Sequence, residues 1–185
     1  APSMDAIRGE MKKFAWTKGD FKITPYGSLW ADMIYETHRT SPGVYTLWVP
    51  SDQIAGEDAF YIDARRTRLG IDVEGPRIPF FNCAKSLARV EIDFMGDTLQ
   101  DNKGSLLLRH AYWQVKNEDY AFLVGQTWDV VSPLYPGMLN YSPGWCAGNI
   151  GFRRAQFRAE RYLDFSPEFL LTLQTLGYVA SDDRS

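Results

Sequence analysis

The chain is poor in the residues and motifs that most directly declare a chemistry. Its 185 residues include two cysteines, Cys83 and Cys146, and two histidines, His38 and His110. There is no CxxC pair, HExxH motif, P-loop or Gly-rich dinucleotide fingerprint, so zinc, nucleotide and dinucleotide sites have no support. His38 falls in a polar loop and His110 in a strand-like run, each without companions for a metal site. Lys and Arg are everywhere accompanied by acids, and the net charge of −3 gives nucleic acid no general attraction. No cofactor, metal or nucleic-acid partner is therefore expected. A run of about 18 apolar residues is also missing, which excludes a transmembrane helix but not transmembrane strands, which need only about 9 to 11 residues. Ala1 to Glu10 carries neither the basic nor the apolar part of a signal peptide and leaves export open.

Aromatic side chains are abundant, 15% of the chain with six Trp, ten Tyr and eleven Phe. That richness suits β structure and membrane-interface belts alike. Alternation is equally plain. In NIGFRRAQFRAERYL, Asn149 to Leu163, the residues Ala155, Phe157 and Ala159 point one way, while Arg154, Gln156, Arg158 and Glu160 point the other. On a helix these charges would spread around the circumference and leave no apolar stripe. The pattern recurs: Leu69, Ile71 and Val73 oppose Arg66, Arg68, Asp72 and Glu74, and Ala88, Val90, Ile92 and Phe94 oppose Arg89, Glu91 and Asp93. Phe169, Leu171 and Leu173 likewise oppose Thr172 and Gln174. Phe21 to Thr37 reads as one long strand, with Pro25 near its start, where a missing donor does least harm. GSLLLRHAYWQVK and YAFLVGQTWDVV, joined at Asn117 to Asp119, read as a hairpin. Their phase stays open, because Leu106 to Leu108 is continuous and Tyr112 and Trp113 compete for the outside.

Ser3, Ile7, Met11 and Phe14 fit a short helix at the start. The expectation is an all-β, antiparallel up-and-down fold, with a helical or linker segment over 1–20 and seven strands over 21–185. The long connections, 37–58, 96–104 and 132–148, fall on one side, and those at 75–85, 117–119 and 164–167 on the other. Long loops opposite short turns are the pattern of an outer-membrane barrel. A soluble sandwich also alternates, but runs of about ten residues exceed the usual five or six.

Several stretches carry a family resemblance. FKITPYGSLWADMIYET, DARRTRLGIDVEGP and, most specifically, LLRHAYWQVKNED with VGQTWDVVSPLYPG and NIGFRRAQFRAERY resemble the bacterial outer-membrane porins of the DcaP-like type, particularly their planctomycete branch. The similarity runs from about Phe21 to Val179. It implies a transmembrane β-barrel in a Gram-negative outer membrane, a homotrimer surrounded by outer-membrane lipid, and passive diffusion of small hydrophilic or anionic solutes. No catalytic residue and no cofactor are implied. A coiled-coil segment can precede such barrels, and residues 3–14 look like its remnant. Members of the family are about twice this length and close with roughly sixteen strands, and the tail ASDDRS lacks a terminal aromatic. The chain is thus expected to be an N-terminal portion of such a barrel.

On that reading the ionic face borders water. Arg66, Arg68, Asp72, Arg89, Glu91, Asp93, Arg154, Gln156, Arg158 and Glu160 are expected to line the pore, where charge escapes the cost of drying and sorts solutes by sign. Five of the ten are Arg, which points to anion preference. The competing reading makes this face the solvated side of a soluble β-sandwich or lipocalin-like binding module, with Trp30 and Trp128 near its ligand. Trp30, Tyr35, Trp128 and Tyr162 end their runs and suit interface girdles or buried clusters. Arg153 and Arg161 share the apolar parity and are expected at the two ends of the wall, since each would cost about 2 to 4 kcal/mol at the membrane midplane. The 132–148 loop either narrows the channel or lies over its rim. Cys83 and Cys146 fall at opposite ends, too far for a disulfide whose Cα atoms must approach within about 7 Å. A lipid hydrolase built on His110 would need a serine that no spacing supplies.

Overall fold

The computed structural model describes residues 15–41, 43–44, 46, 48–51, 56–97, 103–131, 152–166 and 169–178. The expected helix at 3–14, the 132–148 loop with Cys146, and the tail lie outside these residues, as therefore does the pairing of Cys83.

The described chain forms ten strands: β1 (Trp16–Lys18), β2 (Phe21–Ser28), β3 (Asp32–Glu36), β4 (Ala59–Asp63), β5 (Arg68–Ile78), β6 (Ala84–Asp93), β7 (Leu107–Lys116), β8 (Tyr120–Trp128), β9 (Arg153–Ser166) and β10 (Phe169–Tyr178). Eight of them make one antiparallel sheet in the order β1-β2-β5-β6-β7-β8-β9-β10, and β3 and β4 pair separately. The fold is all-β, a porin-like barrel wall that is not closed, with β1 and β10 at its edges. Among the described residues the only other regular element is a 3₁₀ turn, Pro79–Phe81, and no helix is long and apolar enough to cross a membrane.

The expected strand from Phe21 to Thr37 is two strands, and the run from Tyr61 to Gly75 is likewise divided. Ser28 pairs with Arg68, and pairing resumes at Asp32 with Asp63 after a break at 29–31 and 64–67. The break shifts the register by one residue, because Ala64 to Thr67 forms a turn closed by Thr67 N–H donating to Ala64 O at 3.0 Å. Arg65 N–H donates to Asp63 Oδ1 at 2.7 Å, and Trp30 N–H donates to Thr67 Oγ1 at 3.1 Å, so the turn is stapled to both flanks. The slip is absorbed on the β4–β5 side, so Phe21 to Glu36 keeps a single parity. Trp16–Lys18 had no alternation to mark it and is held by pairing with β2.

The two faces of the sheet have inverted solvent exposure. On one face Leu69 is 49% exposed, Val90 50%, Val124 48% and Phe157 56%, whereas on the other Asp93 is 2% exposed, Arg109 4%, Gln156 5% and Glu91 8%. A water-soluble sandwich hides the first set and displays the second. Here the apolar side chains are bare and the ionic ones shielded, as in a wall that curls around its polar side. We call the bare face outer and the shielded face inner.

At the short-turn end the outer face is partly covered. Phe81, in the 3₁₀ turn, lies 6.5 Å from Phe122, and Tyr120 donates its hydroxyl to Phe81 O at 2.7 Å. Arg153 pairs with Trp128 and Arg161 with Tyr120, which puts these two cations at opposite ends of the β8–β9 ladder. Arg153 stacks over the Trp128 ring at 4.8 Å.

Candidate functional site

The inner face is assembled by cross-strand register, since directly paired residues project to the same side. One line across the sheet runs Thr24, Asp72, Arg89, Tyr112, Gly125 and Gln156, and the adjacent line runs Tyr26, Gly70, Glu91 and His110. Arg89 and Asp72 meet as a bidentate pair, Nε to Oδ1 at 2.6 Å and Nη2 to Oδ2 at 2.9 Å. The Arg89 guanidinium also lies 5.3 Å from the centre of the Tyr26 ring.

A β-bulge governs the next contacts. Glu91 pairs with His110 and Ile92 with Leu108, so Arg109 is an extra residue on β7. An inserted residue lets two successive side chains serve one face. Arg109 Nε donates to Glu91 Oε1 at 2.7 Å and Nη1 to Asp93 Oδ2 at 2.6 Å, while His110 Nδ1 lies 3.0 Å from the Thr127 hydroxyl. Tyr26 completes the group by donating to Glu91 Oε2 at 2.8 Å. Its ring crosses β5 over Gly70, where a Cβ would stand 2.3 Å from a Tyr26 ring carbon. Glycine at 70 is therefore what allows a β2 side chain to reach β6.

Farther along the face, Arg158 Nε lies 3.0 Å from Glu160 Oε1 without the alignment of a hydrogen bond. Glu160 also accepts from Gln174 Nε2 at 2.9 Å and from the Tyr162 hydroxyl. Arg154 Nε is 3.7 Å from the buried Asp129 carboxylate. Gln156 donates Nε2 to the carbonyls of Thr127 and Trp128, at 2.9 and 3.0 Å, and so fastens β9 to the end of β8.

Nine of the ten residues singled out in the sequence lie on strands with inner-face parity: Arg68, Asp72, Arg89, Glu91, Asp93, Arg154, Gln156, Arg158 and Glu160. The exception is Arg66. It occupies the turn between β4 and β5, off the strand alternation, with Nη1 3.1 Å from Asp32 Oδ2 and its guanidinium 4.4 Å over Trp30. The register slip removes it from the line of Arg68. The anion preference drawn from five Arg also needs qualification by pairing, because Arg66, Arg89, Arg154 and Arg158 each face a carboxylate. Arg109 and His110 were assigned to no face from the sequence, since a bulge leaves no mark in a pattern of period two. Nothing in the sequence signalled the reach of Tyr26 across β5. Among the described residues no group of three or more His, Cys, Asp and Glu is placed to hold a metal ion.

No family model matches the chain, and no curated protein does. Among solved structures, the fold is similar to that of the outer membrane channel DcaP of Acinetobacter baumannii, with a TM-score of 0.62 and 27% sequence identity over 86% of this chain. The chain spans 42% of that channel's length. The architecture is thus DcaP-like, and its solved counterpart is an outer-membrane channel rather than an enzyme.

Proposed function

We propose that this chain forms part of the wall of an outer-membrane porin, a homotrimer in a Gram-negative membrane, through which small hydrophilic solutes diffuse passively. The inverted exposure of the two faces carries this reading. Hydrocarbon accepts Leu69, Val90, Val124 and Phe157 at no cost, whereas water in a lumen solvates the edges of an ion-pair ladder that a dry core would have to neutralise completely. The likeness to a solved outer membrane channel supports the same conclusion. Arg68, Asp72, Arg89, Glu91, Asp93, Arg154, Gln156, Arg158 and Glu160 line the lumen on this reading, with Arg109 and Tyr26 added. Alternating signs along that surface favour hydrated, charged or polar solutes and repel apolar ones.

A soluble sandwich or lipocalin-like module would need the exposed apolar side chains indoors, which the exposure pattern opposes. Planar-bilayer recording of the full-length protein tests the proposal. Stepwise, salt-dependent conductance is expected. A protein that purifies without detergent and gives no conductance steps would refute it.

A further inference from the structure

We propose that the outer face at the short-turn end binds a phospholipid of the adjoining membrane leaflet, with Arg161 taking the headgroup phosphate and the turn at Phe80 and Phe81 bordering its chains. The proposal rests on the channel reading, from which it takes lipid contact and the orientation that puts short turns on the periplasmic side.

Arg161 differs from the other arginines of β9. Arg154 and Arg158 meet carboxylates on the inner face and Arg153 stacks over Trp128 at the opposite end, whereas Arg161 lies on the outer face between Tyr120 of β8 and Leu173 of β10. It is exposed, and among the described residues it forms no ion pair or hydrogen bond. Glu118 and Asp119 stand in the adjoining β7–β8 turn, and neither engages it. A cation on a lipid-facing wall is costly unless it reaches the headgroups, where a phosphodiester accepts the two parallel donors of a guanidinium.

The neighbouring surface is aromatic and is built against local preference. Asn82 and Cys83 are both left-handed, with φ of 51° and 54°, a conformation uncommon outside glycine, and they fold the β5–β6 turn back over the outer face. Phe81 then rests 6.5 Å from Phe122, and its carbonyl accepts the Tyr120 hydroxyl. Val115, paired with Phe122, is accordingly 3% exposed, although Val90 on the same face is 50% exposed. Phe80 lies edge-on to Phe81 at 5.3 Å and stands 90% exposed. An aromatic ledge with a cation at its side matches a molecule that is apolar except for one anionic group. Aqueous phosphate would gain nothing from the rings. Outer-face positions of the described strands carry no Asp or Glu, so a second copy meeting this surface through its own wall would leave Arg161 uncompensated.

Native mass spectrometry of the full-length protein in detergent tests the site, with phosphatidylglycerol and a diacylglycerol of the same chains as probes. Phosphatidylglycerol is expected to be retained about fivefold better than the diacylglycerol, and Arg161→Gln should remove about that factor. Arg153→Gln, at the other end of the ladder, should leave retention unchanged. Equal retention of the two lipids by the unsubstituted protein would overturn the site, as would equal losses in Arg161→Gln and Arg153→Gln, which mark general charge attraction. Separation of subunits in Arg161→Gln with lipid retention unchanged would also overturn it, by assigning the surface to a second copy. Bilayer conductance keeps site and channel apart: a conducting protein without the lipid preference refutes the site alone, and lipid retention without conductance refutes the channel alone.

Discussion

Arg109, the extra residue of a β-bulge, donates through Nε to Glu91 on the neighbouring strand at 2.7 Å, and both side chains are buried. Its Nη1 holds Asp93 at 2.6 Å, so one guanidinium neutralises two carboxylates. Removing it strands both acids. Arg109→Ala is expected to destabilise the fold by about 3 to 5 kcal/mol, the usual cost of breaking a buried pair. Arg89→Ala, whose pair with Asp72 is more than one-third exposed, should cost about 1 kcal/mol or less. Urea unfolding in detergent distinguishes them, and equal losses would show that the bulge cluster is not the dominant ionic contact.

Gly70 is expected to be intolerant for a reason outside its own strand. Gly70→Ala drives a methyl into the Tyr26 ring and should release Tyr26 from Glu91, at about 1 to 3 kcal/mol. In a Tyr26→Ala background the same substitution should be nearly neutral. A double-mutant cycle measures that coupling, and additive losses would remove Tyr26 from the explanation.

These two sites mark where the sequence was legible and where it was not. β6 keeps one phase through its length, as do β5 up to Glu74 and β9 up to Asp164, where register shifts intervene, so Leu69, Val90 and Phe157 could be assigned to a face from period alone. β7 could not be, because the bulge at Arg109 changes its phase midway: Leu108 and Trp113 both end on the outer face although they differ in parity. Arg66 was misplaced for a similar reason, since the register slip at 64–67 falls in the run from Tyr61 to Gly75 that contains it and not in the continuous run from Phe21 to Glu36. The break at 29–31 was hidden by that same continuity. Charge pairing was the least visible property, because Asp72 and Arg89 are brought together by register, which no local pattern encodes.

Outer and inner substitutions should differ in sign of tolerance. Phe157→Arg or Val90→Arg is expected to destabilise the protein in a bilayer by about 2 to 4 kcal/mol, the depth-dependent cost of a cation facing hydrocarbon. Thr24→Arg, on the inner face opposite Asp72, should cost about 1 kcal/mol or less. Unfolding titrations in lipid vesicles check this, and an outer-face Arg that leaves stability unchanged would contradict lipid contact there.

Ion selectivity should respond to Arg154 and Arg158, whose carboxylate partners remain when the cations are removed. The double alanine variant is expected to move the reversal potential under a salt gradient toward cation preference. An unchanged reversal potential would take these two residues out of the permeation path.

A porin wall meets lipid on its outer face and water on its inner one, and nitroxide labels read that difference directly. Labels at positions 69, 90 and 157 are compared with labels at 24, 114 and 158 in reconstituted protein, using molecular oxygen, which partitions into hydrocarbon, and a water-soluble nickel chelate. Leu69, Val90 and Phe157 positions are expected to collide preferentially with oxygen, and Thr24, Gln114 and Arg158 positions with the chelate. The reverse ranking, or chelate access on both faces, would contradict a wall with lipid outside and water within.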